Sequence, residues 1–328
     1  MGIHGYKVVR ELGKVAFIFP GQGAQHVGMG RDVYENFEEA RERYERASQV
    51  LGFDLAKVCF EGPEEELAAT PVSQPAILVT SIALLDAARG SGDLPDVALS
   101  GGLSLGEYTA LAFSGALEFE DAVALVRKRG EYMQGAADAN PGGMSSVIGL
   151  ERDEVEEACS GASEVGEVKV ANLNCPGQIV ISGEFGALEK AESIAREMGA
   201  MKVVRLAVSG AFHSPLMKPA RERLKDALDE VRMRIANPPV VANVTASEVQ
   251  EPSGIRQALL EQIDGTVHWE ASVRFMVDSG VDTMYEIGPG RVLAGLCRRI
   301  EKRLKVVNVN DLKSAMSAFG EEEEEGDE

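Results

Sequence analysis

Basic and aromatic side chains are scarce in this chain of 328 residues. Lys and Arg number 33 against 53 Asp and Glu, giving a formal net charge of −20, and aromatics make up only 5%. A surface this acidic repels nucleic acid and anionic membranes, so neither is expected as a partner. Cysteine is sparse as well. The four, at 59, 159, 175 and 297, form no C-x-x-C pair and stand at no metal-ligand spacing from a histidine. They read as reduced, mostly buried thiols of a cytoplasmic protein, and no metal or bound cofactor is expected. Long apolar runs are missing too. The longest, Pro75 to Ala88, is about 14 residues and contains Asp86, which suits a buried helix rather than a membrane span. The opening MGIHGYKVVREL lacks the apolar stretch of a signal peptide.

What is present is an ordinary globular share of apolar residues, 45%, and 35 glycines, which suit the tight turns of an α/β fold. A strand is expected at 15–19, stopped by Pro20-Gly21-Gln22-Gly23, then helical spacing over 31–50. A helix entry lies at Thr70 to Gln74, with Pro71 near its first position. A strand over 96–102 and helices over 105–116 and 120–137 follow. Asn140-Pro141-Gly142-Gly143 then breaks the chain. Beyond it the order is strand, helix, strand, strand, helix, strand up to residue 208, the βαββαβ or ferredoxin-like arrangement. Helices over 215–233, 253–264, 269–279 and 290–303 and strands over 239–244 and 282–286 complete the pattern. The expectation is a large α/β domain over 14–137 and 209–312, interrupted by a ferredoxin-like insert over 138–208. Residues 1–13 and 313–328 are expected to be loose ends. Seven of the last eight residues, EEEEEGDE, are acidic.

Gly102-Leu103-Ser104-Leu105-Gly106 is a G-x-S-x-G between an expected strand and an expected helix. A nucleophile elbow needs small residues around its serine because the backbone turns sharply there, and the helix that follows aims its N–H groups at the site. A serine also needs a base, and the chain has four histidines, at 4, 26, 213 and 268. His213 lies in Gly210-Ala211-Phe212-His213-Ser214-Pro215, where the insert returns to the large domain. It is either a base or a helix-entry residue. The PGQG turn could present backbone N–H groups to an oxyanion or could simply end a strand. Arg129 is either a solvated helical arginine or the partner of a substrate carboxylate.

FIFPGQGAQHVGMG, GLSLGEYTAL, VRKRGEYMQ, NLNCPGQIVISG, AFHSPLMKPA and YEIGPGRVLAGL occur in that order. Together they resemble the malonyl-CoA:acyl-carrier-protein transacylase family, whose relatives include the acyltransferase domains of polyketide synthases. The likeness runs from about residue 14 to 310. It implies an α/β-hydrolase-like domain with a ferredoxin-like insert, and a monomer. It further implies that malonyl passes from malonyl-CoA through Ser104 to acyl carrier protein, supplying fatty-acid synthesis, with His213 as base. Backbone N–H groups of Gln22 and Leu105 would form the oxyanion hole, Arg129 would pair with the malonyl carboxylate, and Asn174 would line the entrance. Phe212 goes with malonyl in the polyketide relatives, where Ser goes with methylmalonyl.

The resemblance also implies that a main-chain carbonyl, rather than a carboxylate, orients the base. The matching stretch assigns it to His268, whose ring could also touch substrate. Leu103 departs from the commoner His before the nucleophile. An acidic carrier would dock on a local basic patch, with Lys128, Arg298, Arg299, Lys302 and Arg303 as candidates. The rivals are an acyltransferase of a specialised polyketide-type pathway, a non-catalytic carrier-binding scaffold, and a serine thioesterase. The thioesterase would want Asp278, Asp282 or Glu286 on His213.

Overall fold

The computed structural model describes residues 13–319. The expected N-terminal arm, with His4, and the acidic end from 320 onward lie outside them. In chain order the strands are β1 (Lys14–Phe19), β2 (Val97–Gly102), β3 (Gly142–Ile148), β4 (Val168–Cys175), β5 (Gln178–Glu184), β6 (Lys202–Arg205), β7 (Val240–Val241), β8 (Glu248–Val249), β9 (Val281–Ile287) and β10 (Lys305–Val309). They form two separate sheets in a mixed α/β fold.

The larger sheet runs β10-β9-β1-β2-β7-β8 and is parallel except for the β7–β8 pair. β1 sits inside it, and Ala16, Phe17, Ile18 and Phe19 are all fully buried. A parallel strand covered on both faces has no use for polar alternation, which is why VAFIF reads as a continuous apolar run. The helix beside it, Thr70–Ser91, has 22 residues and is long and apolar enough to cross a membrane, yet 89% of its apolar window is buried inside the protein. The segment is thus longer than the 14-residue run suggested, and its apolar character serves the core.

The smaller sheet runs β4-β5-β3-β6, with every pair antiparallel. Helices Arg152–Ala162 and Phe185–Glu197 pack on one face around Val147, Ile179, Ile181 and Leu188. Side chains of a strand alternate between faces, so Met144, Asn172, Asn174 and Val180 point the other way, toward the larger sheet.

Several expectations need correcting. The helical spacing over 31–50 resolves into Arg31–Asn36 and Glu38–Leu51, separated by the extended Phe37 (φ −126°). Helices Leu55–Glu61 and Glu64–Ala68 had no counterpart in the sequence reading. The 215–233 helix begins as a 3-10 turn, Pro215–Met217, and restarts at Lys218–Glu230, where Pro219 lacks the N–H needed to continue the turn. Strand 239–244 shrinks to Val240–Val241, which frees Asn243 to turn into the site. Nor is 313–319 a loose end. Leu312–Phe319 is a helix with Ala315 buried and Phe319 stacked on Tyr285 at 4.7 Å, and Asp32 Oδ2 accepts the Leu312 N–H at 2.6 Å.

Close backbone crossing explains both glycines of the G-x-S-x-G. A Cβ on Gly102 would lie 2.2 Å from the Gly106 carbonyl carbon, and one on Gly106 would lie 2.1 Å from the Phe19 carbonyl oxygen. Neither obstacle is a side chain that can swing away. Gly106→Ala is therefore expected to cost about 3 kcal/mol or more. On a chain of this size that lowers the melting temperature by roughly 5 °C, measurable by calorimetry.

Candidate active site

The C-terminal ends of β1 and β2 face a common crevice, the usual ligand position in an open parallel sheet. β1 runs into the PGQG turn, and β2 runs through Leu103 into Ser104. The two are pressed together: a Cβ on Gly21 would meet the Leu103 carbonyl oxygen at 2.4 Å. Ser104 adopts φ 50° and ψ −98° and caps helix Leu105–Phe113. Such a conformation costs a non-glycine residue roughly 1–3 kcal/mol and persists only where its surroundings fix it. It also lifts the hydroxyl out of the turn.

Ser104 Oγ lies 2.8 Å from His213 Nε2, although 109 residues separate them. His213 Nδ1 lies 2.8 Å from the main-chain oxygen of Gln262. A carbonyl only accepts, so Nδ1 carries the proton and Nε2 keeps its lone pair toward the serine. Gln262 ends helix Pro252–Gln262, where carbonyls have no partner along the helix and one is free for the imidazole. This corrects the assignment to His268, whose carbonyl accepts from Ser272 N and Oγ. His268 is also not a wall of the Ser104 cavity. It lines a separate cavity of about 420 Å³ with Arg152, Leu173 and Arg274. Leu173 points opposite to Asn172 and Asn174, so the two cavities lie on opposite faces of β4.

No carboxylate takes the place of that carbonyl on His213 among the described residues. Of the three candidates, Glu286 accepts the Leu293 and Ala294 N–H groups, while Asp278 and Asp282 make no bond to the ring. The imidazole is 4% exposed. Burial, reinforced by the nearby Arg129 charge and opposed by the Gln262 carbonyl, pushes its pKa down to about 3. The base therefore stays neutral and competent through the neutral range. Because the folded value lies below the ordinary value of about 6.5, the stability it contributes is complete above 6.5 and is lost as pH falls toward 3. We expect the His213 ring to remain neutral from pH 8 to pH 5 in imidazole NMR; a midpoint above 6 would contradict the buried arrangement.

Arg129 is 1% exposed, on the inner face of helix Phe119–Ala139. Its Nη1 donates to Gln74 Oε1 at 2.8 Å, and its Nη2 to Gln262 Oε1 and Ser104 Oγ, each at 3.0 Å. No carboxylate lies within salt-bridge distance of it among the described residues. A fully charged, buried guanidinium beside a nucleophile and without an ion pair is suited to receive an anionic group.

The cavity in front of Ser104 has a volume of about 290 Å³. Gln22, Leu103, Asn174 and Phe212 all line it. Asn174 is 9% exposed, and its Oδ1 has no hydrogen-bond partner among the described residues. Leu105 opens the helix after Ser104, so its N–H is one of the amides a helix leaves free at its start. Leu103, in place of the commoner histidine, adds an apolar wall and no titratable group.

Three residues of the site escaped the sequence reading. Gln262, Asn243 and Glu107 bind the Ser104 backbone or one another. Glu107 lies within GLSLGEYTAL, three residues after the serine, where helical spacing returns a side chain to the same end. The other two carry no local signal. Of the proposed docking residues, Lys128 pairs with Glu230, and Arg299 donates to Gln178 and to the Pro176 carbonyl. Arg298 donates to the Val306 carbonyl, and Lys302 and Arg303 are exposed.

A polarised serine at a strand-to-helix turn, backed by a neutral imidazole and a buried cation, defines an acyl-transfer enzyme of mixed α/β fold. The acyl transferase domain model matches residues 16–318. The malonyl CoA-acyl carrier protein transacylase of Bacillus subtilis is 44% identical over 317 residues, 96% of this chain and 99% of its own. The crystal structure of the corresponding Clostridium perfringens protein is 44% identical, with a TM-score of 0.87 over 92% of this chain and 94% of its own. A malonyl-transacylase solved with its type II PKS acyl-carrier protein is 39% identical, with a TM-score of 0.90 over 93% of this chain and 99% of its own. The chain belongs to the malonyl CoA-acyl carrier protein transacylase family.

Proposed function

We infer that the protein transfers malonyl from malonyl-CoA to the phosphopantetheine thiol of acyl carrier protein, for fatty-acid synthesis. The observation that carries this reading is the buried Arg129 guanidinium 3.0 Å from Ser104 Oγ, a receptor for the one feature that sets malonyl apart from acetyl. The relatives' names and the carrier complex support the same donor and acceptor.

The reaction runs in two halves. Ser104 Oγ attacks the thioester carbonyl carbon as its proton passes to His213 Nε2. Charge builds on the carbonyl oxygen, and the N–H groups of Gln22 and Leu105 are the donors for it. The C–S bond breaks, and the departing sulfur takes the proton from His213. The phosphopantetheine thiol then gives a proton to His213 as its sulfur attacks the ester carbon of malonyl-Ser104, the C–Oγ bond breaks, and Ser104 Oγ takes the proton from His213. Fixing imidazole orientation by a main-chain carbonyl leaves the base with no adjacent negative charge.

The larger sheet with its helices corresponds to the α/β-hydrolase-like part, over 14–137 and 209–312 together with the terminal helix. The order β4-β5-β3-β6 supports a ferredoxin-like insert over 138–208. Four free, buried cysteines suit a reducing, cytoplasmic setting. Phe212 and Asn174 form the side of the cavity facing the acyl group and the pantetheine entrance. The exposed Lys302 and Arg303, whose side chains make no hydrogen bond among the described residues, are the leading candidates for an acidic carrier.

The test is carrier-dependent transfer from malonyl-, methylmalonyl- and acetyl-CoA in parallel, with intact-protein mass spectrometry of the enzyme. The expected result is a malonyl adduct on Ser104 that persists without carrier and discharges when carrier is added. Rapid return to free enzyme without carrier would mark a thioesterase instead.

A further inference from the structure

The strained Ser104 backbone is gripped at both ends by side chains from distant segments. Asn243 Oδ1 accepts the Ser104 N–H at 2.7 Å, and Gln262 Nε2 donates to the Ser104 carbonyl at 2.9 Å. Both grips lead to one oxygen. Glu107 Oε2 accepts the Asn243 backbone N–H at 2.9 Å and Gln262 Nε2 at 2.8 Å. Asn243 in turn donates through Nδ2 to the Gly102 carbonyl at 2.8 Å. Glu107, Asn243 and Gln262 are buried at 1%, 0% and 0% exposure, so water does not substitute for these contacts.

The Gln262 amide shows why an acceptor is needed at residue 107. Its Nε2 has two hydrogens, and Ser104 O and Glu107 Oε2 take one each. Its Oε1 is thereby left to accept from Arg129, while its main-chain oxygen holds His213. An amide turned over would set Oε1 against two oxygens and Nε2 against the guanidinium.

Resting on the transferase reading above, we propose that Glu107 is a positioning residue for acyl transfer, its acceptor oxygen fixing the nucleophile, the base and the guanidinium relative to one another through Asn243 and Gln262. The role rests on the acceptor more than on the charge. Burial pushes the Glu107 carboxyl up to about 7, and a neutral carboxyl still offers an oxygen to both donors.

The acylation half-reaction isolates this role: malonyl-Ser104 formation from malonyl-CoA, by rapid quench and intact-protein mass spectrometry across donor concentrations. Glu107→Gln keeps an acceptor oxygen at the same reach and is expected to stay within about fivefold of the wild-type maximal rate. Glu107→Leu, similar in size but without an acceptor, is expected to lose about 100-fold in maximal rate, with the half-saturating donor concentration changed less than about threefold. A leucine chain as fast as wild type overturns the proposal, and so does a glutamine chain as slow as the leucine chain. Should Glu107→Leu fail to fold, Asn243→Ala decides, because it removes the Ser104 N–H acceptor and leaves Glu107 in place. Its maximal rate is expected to fall at least about tenfold, and an unchanged rate overturns the proposal. Failure of the transferase reading would look different: wild-type enzyme would form no adduct on Ser104.

Discussion

Ser104→Ala is expected to reduce malonyl transfer by roughly 10⁴- to 10⁶-fold, the range seen when a serine nucleophile working with a histidine is removed. The adduct on residue 104 should vanish with it. The reason is chemical rather than steric. Alanine fills nearly the same space, Asn243 and Gln262 still hold its backbone, and the cavity of about 290 Å³ remains open to donor. What disappears is the only atom that can form the ester. Stability should move little and can be checked by calorimetry on the same samples. Losing Oγ leaves His213 Nε2 and Arg129 Nη2 each short of a partner, which water entering from the cavity can supply. Ser104→Gly should be more stable than Ser104→Ala by about 1 kcal/mol, because φ 50° and ψ −98° strain any residue with a Cβ. Wild-type transfer by either variant would remove Ser104 from the chemistry.

The large features of this fold were legible because they follow from local rules. The buried run VAFIF, the break at Asn140-Pro141-Gly142-Gly143 and the strand-helix-strand-strand-helix-strand order after it each carry their own signal. Ser104 was legible for the same reason: a sharp turn needs small neighbours, and those neighbours are adjacent in sequence. His213 needed the motif resemblance, since its spacing from Ser104 has no periodic meaning. Two short helices and the one at Leu312–Phe319 were illegible because tertiary contacts stabilise them more than a long apolar stripe does.

The carbonyl that orients His213 belongs to Gln262 and not to His268. Every residue, whatever its side chain, offers the same main-chain oxygen, so nothing in composition or pattern distinguishes Gln262 from His268. What selects Gln262 is geometric. Helix Pro252–Gln262 stops there, its last carbonyls lose their intrahelical donors, and that end points at the imidazole. Asn243 escaped for a related reason: its position depends on β7 being two residues long rather than six.

Arg129→Ala should separate binding from chemistry more sharply than any other change. The guanidinium has three hydrogen-bond acceptors around it, Gln74 Oε1, Gln262 Oε1 and Ser104 Oγ, and no counter-charge within ion-pair distance among the described residues. A malonyl carboxylate arriving there would complete a buried ion pair. Removing one partner of such a pair costs about 3–5 kcal/mol, because the other is left buried and unpaired. That corresponds to roughly 150- to 5,000-fold in the rate of Ser104 acylation by malonyl-CoA. Acetyl-CoA brings no carboxylate, so its rate should change by less than about tenfold, from altered packing and the lost contact to Oγ. The malonyl-to-acetyl ratio should therefore collapse by about two orders of magnitude. Arg129→Lys should recover only part of it, since an ammonium restores the charge but cannot reach both glutamines and the carboxylate with one planar fork. If both donors slowed equally in Arg129→Ala, the residue would be supporting Ser104 rather than reading the substrate.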